Sequence, residues 1–338
     1  MKTSDNELFF QHKEKLIQLY FVCGELIFLS KNVRGIMLGY FKDEYIDETQ
    51  MLLPIQAKVV QYGLGTFEGV RAYWNNEKKQ LYVFRAEDHY KRLLDSAKIF
   101  SMTSKYTASE LTDITVNLLK KNGLEQTTYI RPLFYHASTK MAPVFEADDT
   151  EFAMYCFPLD DYLDKSKGID VCISSWRRVA DNAIPARAKP TGLYLNSALA
   201  REEAYRNGYH EAIFLTNQGT VSEGTGEHLF MIREGVIYSP PSTEDNLDGI
   251  TRKTIIQLVQ DELNIPFVER SIARTELYTA DEIFVVGTGA EVTGINSVDR
   301  KPVGTGKMGE LTKQIQSLYL DVVSGKVDKY ESWLTPVF

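Results

Sequence analysis

Lys189 is the first residue whose setting could support chemistry. It lies in Ile184-Pro185-Ala186-Arg187-Ala188-Lys189-Pro190-Thr191-Gly192, among small residues and prolines. A lysine held in a cleft loses hydration, its pKa falls, and its amine becomes a nucleophile. Taken alone it reads as a solvated loop lysine, because lysines are seldom buried. Glu223, between a strand and Gly224, has the charge to face a cationic ring nitrogen, or it merely ends a hairpin. Gly249-Ile250-Thr251 opens a helix, where free N–H groups and the helix dipole favour an anion. Gly287-Thr288-Gly289 is a tight turn with an approachable backbone and a hydroxyl. Arg85, between a strand and a helix, carries the charge to neutralise a phosphate or to form an ordinary ion pair. By type and spacing alone these residues mark anion sites and no particular reaction.

The elements that would position them can be read from periodicity. Leu81 to Phe84 is a strand, and the helix after it places Tyr90, Leu93, Leu94 and Ala97 on one face. Thr107 and Glu110 form a capping box opening a second helix that Gly123 closes. Tyr129 to Tyr135 and Phe152 to Phe157 are strands. Pro158 to Gly168 is charged and reads as a linker. Beyond it, Ile169 to Trp176 is a strand and Ser197 to Arg206 a helix, stopped near Gly208. Ala212 to Thr216 and Thr220 to Ser222 flank an Asn-Gln-Gly turn. His228 to Ile232 and Val236 to Tyr238 flank Glu234-Gly235. A helix from Thr251 to Leu263 and strands Ile283 to Val286 and Val292 to Ile295 complete the pattern. Strands and helices interleave in both halves, which predicts an α/β (α+β) protein.

The chain has 338 residues, 43% apolar and 12% aromatic, enough for two packed domains and too apolar for disorder. Its 38 Lys and Arg against 46 Asp and Glu give a net charge of −8, and no basic stripe offers itself to nucleic acid. Cys23, Cys156 and Cys172 are far apart, as are the five histidines, so no metal site is expected and a reduced cytoplasmic setting fits. Leu16 to Ser30 is apolar but interrupted by Gln18 and Glu25, and is too short to span a bilayer. It is expected to be an amphipathic helix or strand in an N-terminal leader over 1–35.

The order of the motifs narrows the reading. Tyr62-Gly63-Leu64-Gly65-Thr66-Phe67-Glu68-Gly69-Val70-Arg71 is followed by Phe84-Arg85, Tyr129-Ile130-Arg131-Pro132 and Ala188-Lys189 with Tyr194. Then come Val221-Ser222-Glu223-Gly224-Thr225-Gly226-Glu227, Leu247-Asp248-Gly249-Ile250-Thr251-Arg252 and Gly287-Thr288-Gly289-Ala290-Glu291. In this order they resemble the class IV pyridoxal-phosphate aminotransferases, specifically the branched-chain amino-acid aminotransferases, over about residues 36–336.

The resemblance implies a two-domain fold-type-IV enzyme, like the D-amino-acid aminotransferases in architecture. A small N-terminal domain would span 36–157, a linker 158–168 and a large cofactor-binding domain 169–338. The cofactor implied is pyridoxal 5′-phosphate. Lys189 matches the catalytic lysine that holds it covalently and shuttles a proton. Glu223 matches the partner of the pyridinium nitrogen, and Tyr194 the phenol beside the ring oxygen. Arg85, Ile250, Thr251 and Thr288 match the phosphate cup, with Gly226, Leu247 and Gly249 in the same cofactor-binding segments. Tyr62, Phe67, Arg71, Tyr129, Arg131 and Tyr162 match the substrate side, where arginines would receive the distal carboxylate of 2-oxoglutarate. Tyr129, Gly289 and Ala290 match the α-carboxylate contacts.

The implied reaction exchanges amino groups between leucine, isoleucine or valine and 2-oxoglutarate, in a homodimer or higher homo-oligomer whose loop near Met141 reaches a neighbouring site. His228 stands where the family signature has asparagine. The loop 136–145 and Leu159 also depart from it, so the cofactor chemistry is better marked than the substrate. The alternatives are a D-amino-acid aminotransferase, an aminodeoxychorismate lyase, or a cofactor-free binding protein, the last of which would lack Lys189 or Glu223.

Overall fold

In the computed structural model the described residues are 37–159, 163 and 165–338, with the backbone of short strands before them. Those strands form two hairpins, Gln11–His12 with Lys15–Leu16 and Tyr20–Val22 with Glu25–Ile27. Where its backbone is described, the apolar leader stretch is therefore strand rather than helix. The remainder of 1–35, and residues 160–162 and 164 of the expected linker, lie outside the described residues.

The first half builds an antiparallel sheet around Thr128–His136, which pairs along its whole length with Thr150–Pro158. On its other side it meets Gly65–Phe67 and Val70–Asn75. Leu38–Phe41 and Glu44–Asp47 extend one edge, and Gln80–Phe84 extends the other. The helices Ala86–Ile99 and Ala108–Asn122 cover one face, burying Tyr90, Leu93, Leu111 and Leu118 against Val70, Leu81 and Ile130. The second helix starts at the expected capping box, with reciprocal bonds between Thr107 and Glu110. It stops at Gly123, whose φ of 59° is left-handed.

The second half is a mixed sheet in the order Val221–Gly224, Glu211–Leu215, Ile169–Arg177, Glu291–Val298, Glu282–Gly287, His228–Arg233, Val236–Ser239, Phe267–Glu269. Ile169–Arg177 runs parallel to both its neighbours. Glu234 and Gly235 both have positive φ, which matches the twist of the two-residue hairpin they form. The helices Ile250–Asp261 and Glu310–Val323 pack on one another and on the central strands. The latter helix, with the strands at 38–47, was not expected from periodicity.

The C-terminal residues correct the expected grouping of 169–338. Leu334–Pro336 pairs with Gln80–Phe84 and so joins the first sheet. Leu334 and Val337 are buried there, and Gln80 Oε1 accepts the amides of Val337 and Phe338. A shared core follows, in which Phe84 packs edge-on against Tyr319 and Trp333 and the Tyr73 and Tyr319 hydroxyls meet at 3.2 Å.

Candidate active site

A cleft of about 310 Å³ opens where the two sheets face one another. From the first half it is lined by Phe67, Gly69, Arg92, Tyr129, Arg131, Phe157 and Leu159. From the second come Lys189, Tyr194, Gly226, Glu227, Thr288, Gly289 and Ala290.

Lys189 enters the cleft because its segment is sewn to the opposite sheet. Its carbonyl accepts the Phe67 amide at 3.1 Å and the Thr66 hydroxyl at 3.2 Å, and Thr66 bridges to Pro190. Thr191 Oγ1 donates to the carbonyl of Gly63 at 2.6 Å. A side chain on Gly63, which has φ +67°, would lie 2.9 Å from Gly192 Cα, so Gly63 needs glycine's bare backbone. The Lys189 amine ends 5.3 Å from the ring centres of Phe67 and of Tyr194.

Glu223 is buried at the end of its strand. Arg178 Nη2 donates to it at 2.7 Å, and the Leu247 amide donates at 3.3 Å. Burial raises its carboxyl pKa, opposed first by the Arg178 charge and then by the Leu247 amide. A cation brought against it from the cleft would therefore gain a partner already held in place. His228 Nδ1 is 3.7 Å from the same carboxylate. Burial, then the charges of Arg252, Arg92, Lys189 and Arg178, hold its imidazole neutral, well below the usual range. A Cβ on Gly249 would fall 2.1 Å from His228 Nε2, so the glycine makes room for this ring.

Gly249 is also the N-cap of Ile250–Asp261, and no side chain caps that end. Its leading amides, with the buried Thr251, form a donor set for an anion. The guanidinium beside it is Arg92 and not, as expected, Arg85. Arg85 pairs with Asp88 at 2.6 Å, donates to Thr254 Oγ1 and lies over Trp333, off the cleft wall. Arg92, two helical turns further along the same face, donates to the Asp248 carbonyl at 2.8 Å. It is aimed by a fork onto Glu68, with bonds of 2.6 and 2.8 Å. Glu68 is fully buried; although burial opposes ionisation, the Arg92 charge and the His89 bond outweigh it and hold the carboxyl well below its usual range. The spacing of seven from Arg85 was the signal available in the sequence.

On the opposite wall Arg131 lies 4.4 Å from the centre of the Phe67 ring and donates to the Tyr129 hydroxyl at 3.1 Å. Its Nε is buried without a partner, and among the described residues no carboxylate pairs with it. Gly69 gives the Tyr129 hydroxyl its space, since a Cβ there would sit 2.1 Å away.

Arg71 is placed differently from expectation. Its guanidinium donates to the carbonyls of Leu159 at 3.0 Å and Gly289 at 3.2 Å and lies 3.8 Å from Glu291, so it braces the 287–290 turn. Tyr62 is off the cleft wall as well: it is 39% exposed, and its hydroxyl donates to the Met141 carbonyl at 3.1 Å. Tyr162 lies outside the described residues. Leu247 takes part through its amide and Thr288, Gly289 and Ala290 through the turn they form. Glu227, which follows Gly226 in the 221–227 motif, lines the cleft as well.

The amino-transferase class IV family model matches residues 65–298. A probable branched-chain-amino-acid aminotransferase of Aquifex aeolicus is 44% identical over 300 residues, covering 89% of this chain and 96% of the relative. The crystal structure of a branched-chain aminotransferase from Thermoproteus uzoniensis with norvaline aligns with a TM-score of 0.86 at 42% identity, over 90% of this chain and all of that one. A branched-chain amino acid aminotransferase from Thermobaculum terrenum in its PLP-form aligns at 0.85 and 36% identity, over 90% of this chain and 99% of that one.

Proposed function

The chain belongs to the class IV amino-transferases, and we propose that the cleft between its two sheets is where it exchanges amino groups between branched-chain amino acids and 2-oxoglutarate. The products are branched 2-oxo acids and glutamate. The observation that carries this reading is a cleft lined by Lys189, Arg92 and Arg131, the last with a buried Nε that has no partner; Glu223 feels the Lys189 charge, and Arg92 bonds the Asp248 carbonyl just before an uncapped helix N-terminus.

These residues fit pyridoxal 5′-phosphate, which supplies an electron sink for the substrate carbon that loses its proton. Lys189 would hold it covalently and carry that proton on its amine. Glu223, kept in register by Arg178, would face the ring nitrogen, and Tyr194 the ring oxygen. Arg92, the amides of Ile250 and Thr251, and the hydroxyls of Thr251 and Thr288 would take the phosphate, with Gly226 and Gly249 leaving the backbone approachable. Phe67, Phe157 and Leu159 offer apolar contact to a branched side chain. Arg131 and Tyr129 offer charge and hydroxyl to a distal carboxylate, which an apolar wall alone would leave unpaired.

A second copy of the chain belongs to the same reading. Leu52, Ile55, Val60, Met141 and Val144 are exposed around the Tyr62–Met141 contact, and such an apolar patch suits a like surface. A cytoplasmic setting accords with the free, buried Cys156 and Cys172. Among the described residues no helix is long and apolar enough to cross a membrane.

The test is a panel of amino donors and 2-oxo acids with purified protein, together with borohydride reduction and peptide mapping. Turnover with leucine, isoleucine or valine and a label on Lys189 are expected. A label on another lysine, or pyruvate release without an acceptor, would overturn the reading.

A further inference from the structure

Between Lys189 and Tyr194 stands a residue that the functional reading leaves without a role. Thr191, half-buried, opens the short 3₁₀ turn Thr191–Leu193, which leads directly into the helix Tyr194–Arg206. No side chain caps that helix, whose N-cap is Leu193. The start of the helix, and Tyr194 with it, is therefore placed by other bonds.

Thr191 supplies them in two directions. Its hydroxyl donates to the Gly63 carbonyl at 2.6 Å, and the Gly65 carbonyl offers a second acceptor at 3.2 Å. The Gly63 carbonyl also accepts the Gly65 amide at 3.0 Å, and Gly65 starts the strand Gly65–Phe67 of the first sheet. The Thr191 carbonyl, in turn, accepts the Tyr194 amide. Its side chain thus grips the first half of the chain while its backbone holds Tyr194.

The Lys189 side of the segment is fixed on the same strand. The Lys189 carbonyl takes the Phe67 amide and the Thr66 hydroxyl, and Pro190, at φ −77°, allows little rotation before Thr191. Phe67 then completes the arrangement. Its ring lies 4.8 Å from that of Tyr194, and the Lys189 amine stands 5.3 Å from both ring centres. A lysine that holds a cofactor and then carries a proton must change the partners of its amine while its Cα stays still. The stem between them is flexible, so the amine finds the same place only if the backbone beneath it is held.

We propose that Thr191 is a positioning residue for the transamination: its hydroxyl, anchored on the Gly63 carbonyl, holds the 189–194 segment against the first sheet, so that the Lys189 amine meets the proton of the substrate Cα at a fixed place. The proposal rests on the aminotransferase reading. In it Thr191 touches neither cofactor nor substrate and acts through Lys189 and Tyr194.

The test compares the holoenzyme with Thr191→Val, which keeps the shape and loses the donor, and Thr191→Ser, which keeps the donor. Single-turnover rates are measured with leucine, α-deuterated leucine and glutamate over a range of concentrations. Thr191→Val should slow the leucine and glutamate half-reactions by one common factor, about three- to tenfold, with half-saturation shifted less than about twofold. The isotope effect with leucine should be at least as large as in the unmodified enzyme, because the slowed step is the proton transfer. Thr191→Ser should recover most of the rate. In the cofactor-free protein, amide hydrogen exchange over 189–194 should be faster in Thr191→Val than in Thr191→Ser, with exchange of the core strand Glu211–Leu215 unchanged.

An isotope effect falling toward one in Thr191→Val, equal losses in the two variants, or exchange over 189–194 unmoved in Thr191→Val would overturn the proposal. So would a lower Tm with rates unchanged, which marks a bond that serves stability alone. If the unmodified enzyme turns over no donor, it is the aminotransferase reading that falls, and the exchange over 189–194 still decides whether the hydroxyl anchors the segment.

Discussion

Arg131 is the residue at which substrate choice should be decided. One pocket must accept leucine, which presents alkyl carbon, and 2-oxoglutarate, which brings a second carboxylate. A charge-assisted hydrogen bond contributes about 1.5–3 kcal/mol, or roughly ten- to a hundredfold in binding. Arg131→Ala should therefore lower kcat/KM for glutamate or 2-oxoglutarate by about that factor and spare the leucine half-reaction, as single-turnover rates would reveal. Equal losses would mean that Arg131 merely supports the wall. The two helix arginines give a second contrast. Arg92→Lys breaks the fork onto Glu68 and should weaken retention of pyridoxal 5′-phosphate on dialysis by about tenfold or more. Arg85→Ala loses contacts with Thr254 and Trp333, which lie off the cleft, and should leave retention unchanged. Only the folded helix separates these two residues, since both stand in the same sequence segment.

At the scale of the element, the start of the helix Ile250–Asp261 is tightly constrained. Gly249 there has an ordinary φ of −70°, so its need for glycine comes from neighbours and not from its own conformation. Gly249→Ala must push the buried His228 ring, and overpacking of this kind costs about 1–3 kcal/mol. The expected result is a lower Tm together with weaker cofactor binding, because the displaced ring shares its surroundings with Glu223. If only Tm falls, the helix end is structural alone. The helix Ala108–Asn122 shows the other extreme. Its cap and its stop are local, set by Thr107, Glu110 and Gly123, and both were legible without the fold. The 288–290 turn is intermediate: its glycines marked it, but the brace from Arg71 comes from 217 and 218 residues away in the chain.

At the scale of the whole molecule, the terminal strand ties the two halves together. Removing residues 334–338 would expose the edge strand Gln80–Phe84 and forfeit the burial of Leu334 and Val337, each worth about 1.5–3 kcal/mol. The shortened chain should melt earlier, aggregate through the open edge and hold its cofactor less well, since the core of Tyr73, Phe84 and Tyr319 joins strands of the first sheet to the second half of the chain. The opposite end is expected to behave otherwise. The motif resemblance begins near Met37, so a chain starting at Met37 should keep its turnover within about tenfold, a change of 1.4 kcal/mol in the barrier. A larger loss would make the leader integral.

What the sequence determined by itself was whatever depends on near neighbours or on order along the chain. Periodicity and caps set the helices at 86–122, turn residues set the hairpins around Gly219 and Gly235, and seven motifs in order gave the family, with Lys189 and Glu223 as its chemical centre. What only the tertiary structure decided was the direction of long side chains and the company they keep. Arg85 and Arg92 lie on one helix face, and the choice between them depends on Glu68, Asp248 and Trp333, which are distant in sequence. Arg71 and Arg131 are two residues of one type on neighbouring strands of one sheet; the first is held by carbonyls of the 287–290 turn, the second keeps a buried Nε without a partner. Charge and burial act through space, and the chain folds before it brings those charges together.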